Sequence, residues 1–420
     1  MTGDSRKGKS AAGRTQRAGG NLRTVRGSST QSTAEQRDTT DYNLLTAVIL
    51  LVAFGLVMLC SAGAYTAGGN TGMSTFTKQV IVSFVGLVFM IGFTVTDYHL
   101  FFRWRFFIPI GYAASIVLLG ITRVAGRSVN GATRGLYFGT ISIQPGEIVK
   151  IAVILIMPWV YYWLAGQEEM KCWKLPTYML FPGFFGALCT YLLVQNLSTA
   201  LIIAGISVIV TVLVDRKPKW FAGGLIFLLL ILLYLFLIFL PRVTDAASYD
   251  SFRVRRVAVW LNPEAYAQGI GYQTLQGLYA LGSGGLLGKG LGKSIQKINK
   301  LPEAQNDMIF SVICEELGLF GAIVVIGLFI FLLYRLYKIA ENAPDITGSL
   351  IACGIFAHMA LQVILNIAVV TNTIPNTGIT LPFISSGGSS IVFTMTEIGI
   401  ALNISRQQGQ KKRKRKTTNR

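Results

Sequence analysis

The sequence has few residues suited to metal or redox chemistry. Among 420 residues there are two histidines and five cysteines, and no two cysteines form a CxxC pair. Disulfide and zinc frameworks need clustered cysteines and histidines, so both classes are excluded. His99 and His358 lie far apart along the chain, and we expect no histidine metal site. The cysteines are Cys60, Cys172, Cys189, Cys314 and Cys353.

Charge is scarce as well. Only 14% of the residues are charged while 52% are hydrophobic, and the run WFAGGLIFLLLILLYLFLIFL at 220–240 contains no charge. About 20 such residues cross a bilayer as a helix. A soluble core in a chain of this length could not bury several such runs, which excludes a soluble protein. The composition therefore predicts an all-α polytopic membrane protein.

The net charge of +19 is concentrated in two tails. Residues 1–40 hold eight Lys and Arg against three acids, and residues 406–420 hold eight against none. Neither tail has an apolar period, so we expect 1–41 and 406–420 to be disordered. The first 40 residues also lack the apolar segment of a signal peptide, so the first span is expected to direct insertion. Beside membrane spans, basic tails favour anionic lipid over nucleic acid.

The apolar runs predict about ten transmembrane helices within a membrane domain at 42–405. Short loops rich in Lys and Arg alternate on one side, which we assign to the cytoplasm together with both termini. The large loop 241–305, between helices 7 and 8, is then extracellular. The predicted helices are 43–63, 78–96, 106–123, 146–164, 178–194, 198–214, 220–240, 306–334, 347–370 and 385–405.

Acidic residues enter one of these spans in the stretch LPEAQNDMIFSVICEELG at 301–318. On a helix from residue 306, Asp307, Ser311, Glu315 and Gly318 would line one stripe. Asp307 could simply cap the helix, but Glu315 and Glu316 are too deep for capping. Carboxylates inside a membrane face a polar cavity or a cation and mark function. We therefore predict a polar site at the outer end of this helix.

Further polar residues occur in three other segments. Pro145 fits the first turn of a helix on which Glu147 and Lys150 are neighbours, and this pair could be a local ion pair or a partner for the acids. Arg134 is a further cation nearby. Glycines in GSGGLLGKGLGKS at 282–294 permit close backbone packing or approach to a ligand. In 372–390, two prolines and Gly387–Gly388 predict irregular backbone, either over a cavity or as a hydrated turn.

Four of these motifs together resemble the shape, elongation, division and sporulation (SEDS) family, which includes FtsW, RodA and SpoVE. The likeness extends over about 42–405. The matching segments are RVAVWLNP at 256–263, GIGYQTLQGLYALGSGGLLGKGLGKSIQK at 269–297, LPEAQNDMIFSVICEELG at 301–318 and PNTGITLPFISSGGSS at 375–390.

The resemblance implies a peptidoglycan glycosyltransferase that polymerises lipid II on the outer face of the bacterial cytoplasmic membrane. It places the catalytic aspartate at Asp307, which would activate the acceptor hydroxyl with inversion at the anomeric carbon. Positive charge would meet the departing pyrophosphate. The substrate-binding residues that we predict are Arg134, Glu147, Lys150, Arg256, Lys297, Glu315, Glu316, Ser386, Gly387 and Gly388.

The resemblance also implies a class B penicillin-binding protein as partner, with other membrane proteins of cell division or elongation. No cofactor is required by the motifs, although Mg²⁺ or Mn²⁺ could share the pyrophosphate charge. Three alternatives remain: a lipid II flippase, a non-catalytic scaffold for a transpeptidase, and a proton-coupled transporter. The last normally has inverted repeats, which we do not find in the sequence.

Overall fold

The computed structural model describes residues 40–63, 70–129, 132–138, 141–165, 174–214, 252–297 and 301–418. The predicted span 220–240, the tail before residue 40 and the loop positions 241–251 lie outside the described residues. The first helices are α1 (Tyr42–Gly63), α2 (Asn70–Val95), α3 (His99–Arg103), α4 (Phe107–Ala125), α5 (Pro145–Ala165), α6 (Lys174–Val194) and α7 (Leu197–Val214). They are followed by α8 (Phe252–Leu261), a 3₁₀ turn (Glu264–Tyr266), α9 (Tyr272–Ser283), α10 (Ile309–Glu341), α11 (Ile346–Val370) and α12 (Ser389–Thr418).

Seven of the described helices are long and apolar enough to cross a membrane. They are α1, α2, α4, α5, α6, α10 and α11, and α7 is a shorter apolar helix. Apolar side chains that would be buried in a soluble protein are exposed along them, including Phe84, Ile91 and Phe320. Such surfaces are stable in hydrocarbon, where apolar groups need no cover. The prediction of a helical membrane protein is confirmed.

A small antiparallel sheet interrupts the helices between α4 and α5. Strand β1 (Arg127–Val129) pairs with β2 (Ala132–Phe138), which pairs with β3 (Ile141–Ile143). The sequence analysis treated this segment as a plain loop. Val, Thr, Tyr and Ile recur there, and these β-branched and aromatic residues favour strands. The sheet precedes Pro145, which begins α5 as predicted.

Contacts between distant segments define two ends of the bundle. At one end Asp41 binds Arg335, with Nη2 of the arginine 2.6 Å from a carboxylate oxygen, and Tyr98 donates to Asp345. At the other end, which we call the site end, the small sheet, α9 and the segment 372–388 meet the start of α10. Between the ends α2 packs chiefly on α12, and α6 on α7.

Helix α10 is broken at Gly318. Its 33 residues would make a straight helix of ~50 Å, against a hydrocarbon thickness of ~30 Å. Gly318 has φ 67° and ψ −163°, a backbone conformation that a side chain disfavours. A break frees backbone groups, which must find partners at membrane depth.

The glycine loop, which we define as residues 284–297, supplies those partners. Amides of Lys289 and Gly290 donate to the carbonyls of Glu315 and Glu316, at 3.0 and 2.9 Å. Past the break, Leu319 N donates to the carbonyl of residue 285 at 2.9 Å. A Cβ on Gly284 would lie 1.9 Å from the carbonyl oxygen of residue 314. The prediction that these glycines permit close backbone packing is confirmed.

Several helix ends differ from the sequence prediction, and those of α10 and α12 bear on the site. Helix α10 begins at Ile309 rather than 306, because Asn306 and Asp307 lie in a turn stabilised by tertiary hydrogen bonds. Asp307 therefore does not share a helical stripe with Ser311 and Glu315. Helix α12 begins at Ser389 rather than 385 and continues to Thr418. Residues 406–418, expected to be disordered, thus extend this helix, since Lys, Arg and Gln are good helix formers.

Candidate active site

The turn that carries Asp307 is fixed by its backbone. Three consecutive carbonyls accept hydrogen bonds from the last third of the chain. Ser386 N donates to Gln305 O at 2.9 Å, and Ser385 Oγ donates to Asn306 O at 2.7 Å. Asn366 Nδ2 donates to Asp307 O at 3.0 Å. The SSGG motif and the QND motif, 80 residues apart in sequence, therefore form one structural unit.

The side chain of Asp307 is 7% exposed. Gln273, in the first turn of α9, directs its amide nitrogen at both carboxylate oxygens, at 3.2 and 3.3 Å. Burial raises the pKa of the Asp307 carboxyl to about 7, and the charge of Glu303 adds to this. The Gln273 hydrogen bond and the charge of Arg256 oppose the rise. A carboxyl with a pKa near neutrality can accept a proton and release it at physiological pH.

Helix α8 is held against the segment 372–376. Arg256 donates to the carbonyl of Asn376 at 2.9 Å, and Trp260 Nε1 donates to the carbonyl of Asn372 at 3.0 Å. Asn372 returns a bond to the carbonyl of Trp260 at 3.2 Å. The amphipathic α8 thus brings the cation of Arg256 to the site end, near enough to affect the pKa of Asp307.

Helix α11 presents a polar stripe of His358, Gln362 and Asn366, one helical turn apart. Asn366 donates to Ile379 O at 2.7 Å as well as to Asp307 O. Gln362 donates to Thr380 O at 3.1 Å, and its oxygen accepts from Lys150 at 3.2 Å. This stripe therefore connects the turn of Asp307, the segment 372–388 and α5.

The predicted neighbours Glu147 and Lys150 form an ion pair. Lys150 Nζ lies 2.8 Å from Glu147 Oε2, and both side chains are buried. Lys150 reaches Gln362, and Asp307 reaches Asn366 one turn further along α11. The structure thus brings Asp307, Lys150, Glu147, Arg256 and Ser386 to the same end of the bundle, around α11.

The other predicted acids, Glu315 and Glu316, lie within α10 in a separate cluster. Glu315 binds Lys289 Nζ at 2.7 Å and the amide of Ile295 at 3.0 Å, and it also accepts from Ser294. Glu316 binds Lys297 Nζ at 2.5 Å and Ser61 Oγ at 2.7 Å. These contacts hold the glycine loop to α10 and α1.

The remaining predicted site residues flank the start of two helices. Gly387 and Gly388 directly precede α12, and a Cβ on Gly388 would lie 3.3 Å from Ser142 Oγ in β3. Gln144, before α5, donates through its backbone to Ser389 Oγ at 3.2 Å. Arg134 lies in β2 of the same small sheet. The sheet and the glycine pair are therefore adjacent.

Several site residues were missed in the sequence analysis. Gln273, Gln362 and Asn366 are uncharged, and polar amides are common in loops and at helix ends. The i, i+4, i+8 spacing of His358, Gln362 and Asn366 in an apolar span was the available signal. Glu397 was a second signal, since it is a charged residue in a predicted span.

The geometry supports proton transfer beside an anion. A buried carboxyl with a raised pKa lies on a rigid turn, and Lys150 and Arg256 supply positive charge at the same end. No group of three or more His, Cys, Asp or Glu is placed to hold a metal ion within the described ranges.

These features define a multi-pass membrane protein with a buried carboxyl of raised pKa at one end of its bundle. The profile of the FtsW, RodA and SpoVE family, described as cell cycle proteins, matches residues 41–410. The chain therefore belongs to this family, the SEDS family that its motifs resemble.

Curated relatives and solved structures agree with this assignment. The chain is 36% identical to the probable peptidoglycan glycosyltransferase FtsW of Trichlorobacter lovleyi, over 87% of this chain and 93% of the relative. It is 33% identical to the stage V sporulation protein E of Bacillus subtilis, over 87% and 97%.

Two solved structures share the fold. A chain from a peptidoglycan synthase complex, described as coordinating polymerization and crosslinking, matches with a TM-score of 0.68 and 25% identity, over 88% of this chain and 99% of the other. The rod shape determining protein RodA of Thermus thermophilus matches with a TM-score of 0.58 and 24% identity, over 88% and 97%.

Proposed function

We propose that this protein is a peptidoglycan glycosyltransferase that polymerises lipid II, with Asp307 as the general base. The observation that carries the proposal is the buried Asp307 carboxyl, whose pKa of about 7 suits a base at physiological pH. The similarity to probable peptidoglycan glycosyltransferases, and to a chain from a peptidoglycan synthase complex, supports the same reaction.

In the proposed reaction, a sugar hydroxyl of one lipid-linked substrate attacks the anomeric carbon of another. Asp307 takes the hydroxyl proton as the new glycosidic C–O bond forms. The bond between the anomeric carbon and the pyrophosphate oxygen breaks, and the pyrophosphate leaves with the electron pair. A single displacement inverts the anomeric configuration. Proton removal by a positioned carboxylate contributes ~10²–10⁴-fold.

The leaving pyrophosphate requires positive charge and hydrogen-bond donors. Lys150 and Arg256 are the cations that the fold holds at the site end, and Arg134 belongs to the adjacent sheet. Ser386, Gly387 and Gly388 precede the N-terminus of α12, where backbone amides favour phosphate. Lys297, Glu315 and Glu316 would act indirectly, by holding the glycine loop that borders the substrate.

The proposed location is the bacterial cytoplasmic membrane, with ten spans, both termini cytoplasmic and the site end on the outer face. The positive short loops and the basic C-terminal half of α12 support this orientation. A class B penicillin-binding protein is the proposed partner, since the similar structure comes from a complex that couples polymerization with crosslinking. The basic tails would meet anionic lipid.

The test is gel-resolved polymerisation of purified lipid II by the reconstituted protein with its cognate transpeptidase. Wild type, Asp307→Asn and Glu264→Gln would be assayed with and without Mg²⁺ or Mn²⁺. Glu264 is an exposed carboxylate at the same end and serves as the matched control. We expect long glycan from wild type and Glu264→Gln, and none from a folded, partner-bound Asp307→Asn.

Other results would select an alternative. Equal product from wild type and Asp307→Asn would remove Asp307 as the base. Absence of product from wild type, beside measurable movement of lipid II across vesicles, would favour a flippase. Absence of both, with normal transpeptidase binding, would favour a scaffold.

A further inference from the structure

A continuous line of buried polar groups crosses three helices behind the proposed active site. Glu397 in α12 lies 2.7 Å from His358 Nδ1 in α11. His358 Nε2 lies 2.8 Å from Gln362 Oε1, which also accepts from Lys150 in α5 at 3.2 Å. Lys150 is ion-paired with Glu147. Every one of these side chains is at least nine-tenths buried.

The chemistry of the contacts fixes the direction of the hydrogen bonds. A lysine ammonium can only donate, so the Gln362 atom that it contacts must be the oxygen. The amide nitrogen of Gln362 then faces the carbonyl oxygen of Thr380 at 3.1 Å and donates to it. Because Gln362 Oε1 can only accept, His358 Nε2 must carry a hydrogen.

The pair of His358 and Glu397 then holds one further proton in either of two forms. The histidine is an imidazolium beside a carboxylate, or it is the neutral Nε2–H form accepting from a protonated Glu397. The pair has no net charge in both forms. His358 therefore donates to Gln362, and the pair of His358 and Glu397 adds no net charge beside the ion pair of Lys150 and Glu147.

We propose that His358 and Glu397 are positioning residues, which act through Gln362 on Lys150 and on the segment around Thr380. This inference rests on the proposed glycosyltransferase function, in which Lys150 meets the leaving pyrophosphate. Neither residue touches substrate. The His358 hydrogen bond fixes the Gln362 amide, whose oxygen orients the Lys150 ammonium and whose nitrogen holds Thr380.

Position matters here because the charge on the pyrophosphate develops in the transition state. A preorganised cation stabilises that charge more than the ground state, and a displacement of ~1 Å can cost about 10²-fold. Buried polar groups in a membrane are expensive, and apolar side chains would fill the same volume at lower cost. Asn366, one turn beyond Gln362, holds the turn of Asp307, so α11 aligns the cation and the base together.

The test uses the full-length protein, reconstituted with its transpeptidase, and measures kcat and KM for lipid II with the thermal midpoint of each variant. The variants are His358→Phe, Gln362→Leu, their double mutant, and His358→Gln combined with Glu397→Gln. The last keeps an amide donor toward Gln362 in an uncharged pair. Thr396→Val is the matched control, because Thr396 precedes Glu397 and its hydroxyl donates within its own helix, to Val392 O at 2.8 Å.

We expect His358→Phe and Gln362→Leu each to lower kcat about tenfold, with KM within twofold and the protein folded. The double mutant should lose no more than either single mutant, since both act through one amide. The amide double variant should recover to within about threefold of wild type, and Thr396→Val should match wild type.

Three results would overturn this inference and leave the proposed function standing. The first two are a wild-type kcat in a folded His358→Phe, and a loss in the amide double variant equal to that of His358→Phe. Multiplicative losses in the double mutant would also overturn it, because the two residues would then act separately. An inactive wild type would instead overturn the proposed function, and this inference with it.

Discussion

Asp307 lies just before α10, which begins at Ile309, and Glu315 and Glu316 lie within this helix. These buried carboxylates differ in the groups that compensate their negative charge. Glu315 and Glu316 each bind a lysine and further donors of the glycine loop or α1. The Asp307 carboxylate accepts hydrogen bonds from uncharged groups, the side-chain amide of Gln273 and the backbone of Asp307 itself. Glu315 and Glu316, whose charges are compensated, join the glycine loop and α1 to α10. The less compensated Asp307 has a pKa raised to about 7, which suits proton transfer.

The comparison teaches that an acid in a membrane segment is not by itself evidence of a reactive group. All three acids would cost free energy if left alone in hydrocarbon. Where a cation and several donors surround the carboxylate, the acid contributes to structure. Where the carboxyl is buried with weaker compensation, as at Asp307, its pKa rises toward neutrality, which is the property that the proposed base requires. Each region should therefore respond differently to substitution.

The largest effect is expected from Lys297→Met. The side chains of Lys297 and Glu316 are both fully buried, so the substitution leaves an uncompensated carboxylate. Breaking such a pair costs ~3–5 kcal/mol in unfolding free energy. Thermal unfolding in detergent should show a large fall in midpoint, and the glycine loop should become sensitive to protease.

A second variant separates charge from packing. Adding Glu316→Leu to Lys297→Met removes the orphaned charge and should recover much of the stability. Asp307→Asn, by contrast, should not lower the unfolding midpoint. A Lys297→Met protein as stable as wild type would contradict the assignment of Glu316 as a structural anchor.

The next effect concerns the break in α10. Gly318→Ala places a Cβ 2.4 Å from the amide nitrogen of Gly288 and 2.5 Å from the carbonyl oxygen of Leu286. The positive φ of Gly318 with an extended ψ is a backbone conformation essentially restricted to glycine, and it costs ~1–3 kcal/mol for another residue. We expect lower stability and loss of the glycine loop contact. Gly327→Ala in the same helix is the control, since its Cβ meets open space and alanine favours helix.

A smaller effect is expected on the pH dependence of polymerisation. The base must be ionised, so activity should rise with pH through about 7, where Asp307 loses its proton. Glu303→Gln removes a negative charge, lowers the pKa and should shift this rise to lower pH. Arg256→Gln removes a positive charge and should shift it to higher pH. Shifts of about half a unit, ~0.7 kcal/mol, are expected, and shifts in the same direction would contradict the assignment.

The transmembrane spans could be predicted well from the sequence, and the site only in part. Spans depend on local apolar length, whereas the site depends on contacts between distant segments. Apolar length fixes a span locally, so nine of the ten predicted spans overlap a described helix, and the tenth lies outside the described residues. The helix from residue 306 was wrong in its first turn, because bonds from Ser385, Ser386 and Asn366 hold that turn open. Those partners are more than 50 residues away and leave no local pattern.

The roles of the acids were equally beyond local reasoning. The spacing of Glu147 and Lys150 predicted that they are neighbours on one helix, and their local ion pair was one of the two alternatives left open. Nothing in the spacing of Glu315 and Glu316 indicated that lysines 26 and 19 residues earlier would neutralise them. The break at Gly318, which brings the glycine loop to these acids, depends on one residue conformation that the apolar pattern does not encode.

The smallest effect is expected at an exposed ion pair. It tests whether burial, rather than pairing geometry, determines how much an ion pair contributes to stability and activity. Lys338 and Glu341 are spaced three residues apart and meet at 2.8 Å, as Lys150 and Glu147 do, but both side chains are more than a third exposed. Solvent already stabilises each exposed charge, so their pairing adds little. Lys338→Ala should leave the unfolding midpoint and polymerisation unchanged, while Lys150→Met lowers both. Equal losses of stability and polymerisation in the two variants would mean that pairing geometry, and not burial, determines how much an ion pair of this protein contributes.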